Sequence, residues 1–244
     1  MRGLTAREVL RVWEIGQPQI PAERALTLLE TACPETSRAE LEVMNIGTRD
    51  ALLLSFRERL FGSNFYGTTR CPQCRASVEL GFSVSEVRTD SPKGLSEPFR
   101  LAFGDYEFKC RLPNSLDLLE VRRERDPDKI ARVLFERCLI EKRRRGADVS
   151  IESLPAEVTD AIVTEIAQRD PQADICFNLI CPDCAHRWEA IFDIVSFAWN
   201  EIGAWAARLL RQVHTLALAY GWRETDILSL SPARRQIYLE MLSE

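Results

Sequence analysis

Two short turns, Cys71-Pro-Gln-Cys74 and Cys181-Pro-Asp-Cys184, constrain this chain more than any other feature. Each is a Cys-Pro-x-Cys turn, and each is followed by an alternating apolar run that reads as a β-strand. Such tight spacing lets successive backbone N–H groups point at the sulfurs. Four thiolates from two such turns are the tetrahedral ligand set of a structural zinc ion, with Zn–S about 2.3 Å. The spacing therefore predicts one structural zinc per chain on Cys71, Cys74, Cys181 and Cys184, and four thiolates suit iron as well. Four protein sulfurs complete the coordination and leave no open position for catalysis by the metal. Everything from Arg75 to Ile180 lies between the two halves of the site, so an ion there ties the middle of the chain shut. Binding worth on the order of 10 kcal/mol is enough to decide whether the surrounding sheet folds.

Composition excludes several other uses of these cysteines. Of the 8 in the chain, Cys33, Cys110, Cys138 and Cys176 stand singly among apolar residues, the usual setting of a small buried hydrophobe. No thioredoxin-like strand-helix-strand pattern surrounds either pair, which argues against redox chemistry. The N-terminal Met-Arg-Gly-Leu-Thr-Ala-Arg-Glu has no secretory h-region, so a reduced, cytoplasmic protein is expected rather than a disulfide framework. No apolar run approaches the ~18 residues needed to span a bilayer.

A net charge of -5 argues against a broad phosphate-binding surface. The run Arg143–Arg145 is the best local candidate for nucleic-acid contact, but the solvated cationic end of a helix is the preferred reading, because the run is short and lacks interleaved aromatics. His186 lies just past a ligand set already complete, and His214 sits in a long apolar helix with no catalytic partner indicated. Trp199, Trp205 and Trp222 read either as a partner-binding surface or as core. No phosphate loop, paired carboxylates or nucleophile motif is present, so no catalytic residue is expected and the chain reads as a non-enzyme.

The periodicity alternates between helical and extended. Thr5 with Glu8 forms a capping box ahead of Val9, Leu10 and Trp13, with Gly16 as a stop; Pro21 opens a second helix and Ser37 with Glu40 a third segment. Thr48 is expected to cap Arg49–Leu60, which ends at Gly62 and delivers the chain directly to the first cysteine turn. Val78–Val87 alternates as a strand, Thr89–Pro98 reads as a loop, and Gly104-Asp105 joins Phe99–Phe103 to Tyr106–Leu112 as a hairpin.

Asn114 or Ser115, Asp126-Pro127 and Leu154-Pro155 then open three helices, the second expected to run to Lys142-Arg143-Arg144-Arg145-Gly146. Ile175, Phe177 and Leu179 lead as a strand into Cys181, and Trp188, Ala190, Phe192 and Ile194 lead out of it. A long helix capped by Ser196 and ended by Gly221, a turn at Thr225–Leu230 and a final helix opened by Ser231-Pro232 complete the chain. The expectation is an α+β protein with a zinc-ribbon-like antiparallel sheet stapled by the two cysteine turns. Its parts are a helical N-terminal segment at 1–66, a zinc-knuckle β core at 67–112 and 172–195, a helical insert at 113–171 and a C-terminal helical arm at 196–244.

Several segments taken together resemble a bacterial family. They are Ile46-Gly-Thr-Arg-Asp-Ala-Leu-Leu-Leu, Leu60-Phe-Gly62, the two Cys-Pro-x-Cys turns, Leu112-Pro-Asn-Ser-Leu-Asp-Leu, Asp170-Pro-Gln-Ala-Asp, Phe192-Asp-Ile and His214-Thr-Leu-Ala-Leu-Ala-Tyr-Gly-Trp222, followed by Asp226-Ile-Leu, Ser231-Pro-Ala-Arg-Arg and Tyr238-Leu. Members belong to gene clusters for phage tails and phage-tail-like contractile injection systems, and are distantly similar to baseplate hub assembly proteins of T-even-type phages. The resemblance implies a structural component or assembly factor of a baseplate, with other baseplate or tail proteins as partners and no enzymatic activity, small-molecule substrate or membrane. The alternative is a zinc-ribbon nucleic-acid-binding regulator. Zinc knuckles of this kind commonly carry glycine after the second cysteine. Arg75 and Ala185 occupy those positions here, so a left-handed backbone at either would be strained.

Overall fold

The computed structural model describes residues 1–89 and 97–242. The Asp-Ser-Pro-Lys-Gly part of the loop expected at 89–98 lies outside them.

Four helices open the chain: α1 (Ala6–Gly16), α2 (Pro21–Ala32), α3 (Arg38–Val43) and α4 (Ile46–Phe61). The Thr5–Glu8 and Ser37–Glu40 capping boxes form as the sequence predicts. Gly16 ends α1 for a different reason than a left-handed stop. A β-carbon there would lie 2.1 Å from the Trp199 ring, so the residue is small because a tryptophan packs on it. The cap of α4 also differs from expectation. Asn45, not Thr48, is the N-cap residue, and Thr48 donates its hydroxyl to the Asn45 side-chain oxygen at 2.7 Å.

Between α4 and the first cysteine turn stands a strand that the sequence reading missed. β1 (Asn64–Arg70) pairs antiparallel with β2 (Ser77–Ser83), Arg70 opposite Ser77, so the first turn is the tip of a hairpin. β1 carries Gly67, Thr68 and Thr69 in place of a clear apolar alternation, which is why its period is faint. β2 is shorter than expected, because Ser83 with Glu86 makes a capping box that turns Val84–Val87 into the short helix α5.

The middle of the chain builds a separate layer. β3 (Phe99–Phe103), β4 (Tyr106–Cys110), β5 (Leu139–Arg144) and β6 (Ala147–Asp148) form one four-stranded antiparallel sheet in that order. Its core gathers Tyr106, Phe108, Cys110, Leu139 and Ile162, the last from α8 (Ala156–Arg169). Helices α6 (Ser115–Glu120) and α7 (Pro127–Cys138) lie between β4 and β5. The helix expected to reach Gly146 therefore stops at Cys138. Arg145 and Gly146 both have positive φ, 51° and 83°, the two-residue turn that joins paired strands. That turn makes Leu139–Arg144 a strand.

β7 (Ile175–Ile180) and β8 (Arg187–Phe192) form the second cysteine hairpin, Ile180 opposite Arg187. The expected single stapled sheet is thus two two-stranded hairpins, with the four-stranded sheet apart from them. Aromatic rings join the hairpins: Phe82 stacks 4.9 Å from Phe65 and lies 4.6 Å from Phe177, and Phe192 meets Phe65 edge-on at 5.4 Å.

The long helix α9 (Ile194–Tyr220) starts from an Asp193 cap rather than Ser196, and ends at left-handed Gly221. Its Ile202, Ala206 and Leu209 join Val9, Leu26, Leu29, Leu53 and Phe56 in the main core. Arg57 ties α4 to it: the guanidinium binds Glu201 at 2.7 and 2.8 Å and lies 4.0 Å from the Phe65 ring. α10 (Glu224–Ser229), expected as a turn, and α11 (Pro232–Glu240) fold back on α9 through Leu216, Ile227, Trp222 and Tyr238.

Candidate metal centre

The two hairpin tips have the same backbone. In the first, the Cys71 N–H donates to the Ala76 carbonyl and the Arg75 N–H to the Cys71 carbonyl, both at 2.9 Å. In the second, Cys181 N–H to His186 carbonyl and Ala185 N–H to Cys181 carbonyl repeat the pattern at 2.9 and 3.0 Å. To close these turns Arg75 and Ala185 are left-handed, with φ of 63° and 58°. Both turns close through a left-handed residue that is not glycine. The strain the sequence implied is present at each.

The tips meet head to head. Cys71 Sγ lies 3.7 Å from Cys184 Sγ, and Cys74 Sγ lies 3.5 Å from Cys181 Sγ. All four sulfurs fall within 4.8 Å of one another. Sulfurs placed tetrahedrally about 2.3 Å from one ion would stand about 3.8 Å apart, so the cluster has the right dimensions for a single metal. Soft sulfur donors exclude calcium and magnesium as occupants. Cys71 and Cys181 are buried, Cys184 is half-buried and Cys74 is exposed. Val78 and Trp188 pack beneath them.

The thiols compete for protons. Burial raises the Cys71 pKa, but the N–H groups of Cys74 and Gln73 and the neighbouring thiols outweigh it and bring it down to about 7. At Cys74 the Ala76 N–H pulls the other way, yet Cys184, burial, Cys181 and Cys71 together push the thiol up to about 12. The Cys184 thiol is raised as well. A divalent cation is the charge that lets neighbouring thiols ionise together. The donor set is compatible with one structural metal ion.

His186 is not in the cluster; its ring lies parallel to Trp188 at 6.2 Å. His214 is exposed on α9. Two of the three arginines in the run face carboxylates. Arg145 pairs with Asp105 at 2.7 Å, Arg143 reaches Asp148 and Glu141 at 3.8 and 3.9 Å, and Arg144 lies over Tyr106 at 5.0 Å. Trp199 is core, Trp222 packs on Tyr220 and Tyr238, and Trp205 is half-buried beside Phe61.

A second constellation was not foreseen, although its parts lie in the short segments quoted above. The first turn of α4 gathers three of them. The Ile46 N–H donates to the Pro113 carbonyl at 3.1 Å, Arg49 Nη1 donates to Ser115 Oγ at 3.3 Å, and the Gly47 N–H donates to Asp170 Oδ2 at 3.0 Å. Asp170 thus brings an anion from the far end of the middle layer to a helix N-terminus, where the dipole favours it. Next to it, Gln172 donates to the Val87 carbonyl and accepts from the Thr89 N–H, holding the chain at the end of α5. Asp117, fully buried, takes a two-point bond from Arg111 and a third from Arg137, all at 2.7 Å. Burial would raise its pKa, but these cations and the Asn114 N–H hold the carboxyl below the usual range. The bonds of Ile46, Gly47 and Arg49 fasten the middle layer to α4, while Asp117 braces the middle layer internally.

The family model described as T4 bacteriophage base plate protein matches residues 6–199. No curated protein and no solved structure matches the chain.

Proposed function

Because the chain belongs to the T4 bacteriophage base plate protein family, we propose that it is a non-enzymatic component or assembly chaperone of a phage-tail-like, contractile baseplate. It would act by binding other baseplate or tail proteins on a scaffold held by one zinc ion at Cys71, Cys74, Cys181 and Cys184. The family match over residues 6–199 carries this reading. The four-sulfur cluster supports the scaffold, and zinc is the ion that such a closed sulfur site most commonly holds in a structural role. The protein would be made in the bacterial cytoplasm and be available there for tail assembly. Among the described residues no helix is long and apolar enough to cross a membrane. The competing reading, a nucleic-acid-binding regulator, loses its best contact because Arg143 and Arg145 face carboxylates of the same sheet and its turns.

The test is a tagged pull-down from the native host, comparing cell lysate with purified tail-like particles by mass spectrometry. Baseplate proteins in both fractions mean a component that stays in the particle, and recovery from lysate alone means an assembly chaperone. Nucleic acid without tail proteins would overturn the reading in favour of the regulator.

A further inference from the structure

Arg235 is a charged side chain buried to 3% exposure with no carboxylate beside it. Its Nη1 donates to the Leu230 carbonyl at 2.7 Å and its Nε to the Gln212 side-chain oxygen at 3.3 Å. Both acceptors are neutral, and among the described residues no carboxylate forms an ion pair with it. Burial lowers its pKa, and no acidic group acts on it in the other direction. An uncompensated buried cation is costly to a fold, so the missing counter-charge needs an explanation.

Cavities of about 390 and about 510 Å³ flank this guanidinium, and Trp205 and Pro232 wall both of them. One continues past Phe61 and Arg208, the other past Leu228 and Arg7, and no acidic residue lines either. Arg7 and Arg208 are exposed, and among the described residues neither has an ion-pair partner. In a chain of net charge -5, three arginines on two adjoining cavities that share Trp205, Pro232 and Arg235, with no carboxylate in either lining, are a local reversal of sign.

We propose that this groove receives an acidic segment of a partner protein, one carboxylate meeting Arg235 and the apolar neighbours of that residue lying against Trp205 and Phe61. Arginine's planar fork suits carboxylate recognition. Each cavity is many times the ~30 Å³ share of one liquid water. With aromatic and aliphatic walls, it would be left mostly unused by a small inorganic anion. The proposal rests on the protein-binding reading above and assigns it a surface.

The test uses the full chain, with the Arg235 Nε–H signal followed by NMR. The probes are the capped peptide Ac-Leu-Glu-Leu-Leu-NH2, its glutamine counterpart and inorganic phosphate. The glutamate peptide should bind about tenfold or more tightly than the glutamine one, a charge-assisted hydrogen bond being roughly twice as strong as a neutral one. Arg208→Gln and Arg7→Gln, both at exposed positions that leave the core intact, should weaken it several-fold. Phosphate binding as tightly as the glutamate peptide would overturn the proposal, as would no shift with any probe. The pull-down separates the two readings. Peptide binding without captured tail proteins would leave the groove standing and remove the baseplate role. Tail proteins still captured by the Arg7→Gln, Arg208→Gln double variant, once peptide binding is lost, would remove the groove and leave that role.

Discussion

Gly47 stands where no side chain fits. A β-carbon there would lie 1.9 Å from Asp170 Oδ1 and 3.1 Å from the Ala173 nitrogen, and Asp170 is itself 3% exposed with Oδ1 unpartnered. Gly47→Ala should expel the carboxylate from the α4 N-terminus and cost about 2–4 kcal/mol, overpacking plus a broken charge-assisted bond. Chemical denaturation measures it, and an unchanged midpoint would mean that Asp170 does not serve as the cap. Asp50 lies three residues on from Gly47. Burial raises its pKa to about 6, Arg49 only partly opposes this, and Asp193 and Asp170 add to it. Since the folded value exceeds the ~3.9 of an unfolded aspartate, its protonation favours the fold. That contribution is complete below about pH 4 and is lost as pH rises through about 6. Relative to Asp50→Asn, the natural protein should therefore lose stability between those pH values and change no further above them. Parallel pH dependences for the two proteins would place the carboxylate in a more polar setting than its packing indicates.

The cysteine hairpins are the elements in which local rules and tertiary demand disagree. A left-handed alanine or arginine costs about 1–2 kcal/mol, while glycine adds up to about 1 kcal/mol of unfolded-chain entropy. Arg75→Gly and Ala185→Gly should each stabilise the fold by about 0.5–1 kcal/mol. A lower melting temperature for either would show that the side chain contributes a contact outweighing its strain. Cys-Pro-x-Cys spacing was legible because a rigid, repeated turn is a local property. The same holds for Thr5 with Glu8, Ser37 with Glu40, Asp126-Pro127 and Ser231-Pro232, each of which caps its helix as read. What escaped was set by distant partners. β1 owes its extended form to pairing with β2, and β5 leaves the helical pattern because β4 offers it an edge and Arg145-Gly146 a turn. The meeting of Gly47 with Asp170 spans 123 residues of sequence, and nothing local in either segment announces the other.

Across the whole molecule the two hairpins close the chain on itself. Cys71 and Cys184 are 113 residues apart, and Cys74 and Cys181 are 107 apart. A crosslink over so long a loop removes about 4–5 kcal/mol of unfolded-state freedom in the chain-entropy account. Three other attachments span the same closure: the phenylalanine cluster at the hairpin roots, the Arg57–Glu201 pair and the Asp170–Gly47 bond. Metal removal should therefore weaken the fold without abolishing it. Protein purified without chelator should carry about one zinc per chain by the four-ligand argument. Stripping it, or replacing Cys181 with serine, should lower stability by several kcal/mol. Amide exchange should rise first in residues 71–76 and 181–186, while the main core around Leu53, Phe56 and Ile202 keeps its protection. Global unfolding on chelation would mean that the ring cluster and the polar junction cannot hold the layers alone. A metal-free protein with an unchanged melting curve would mean that the four sulfurs meet without an ion, and the hairpin roots rather than the tips would then be what closes the chain.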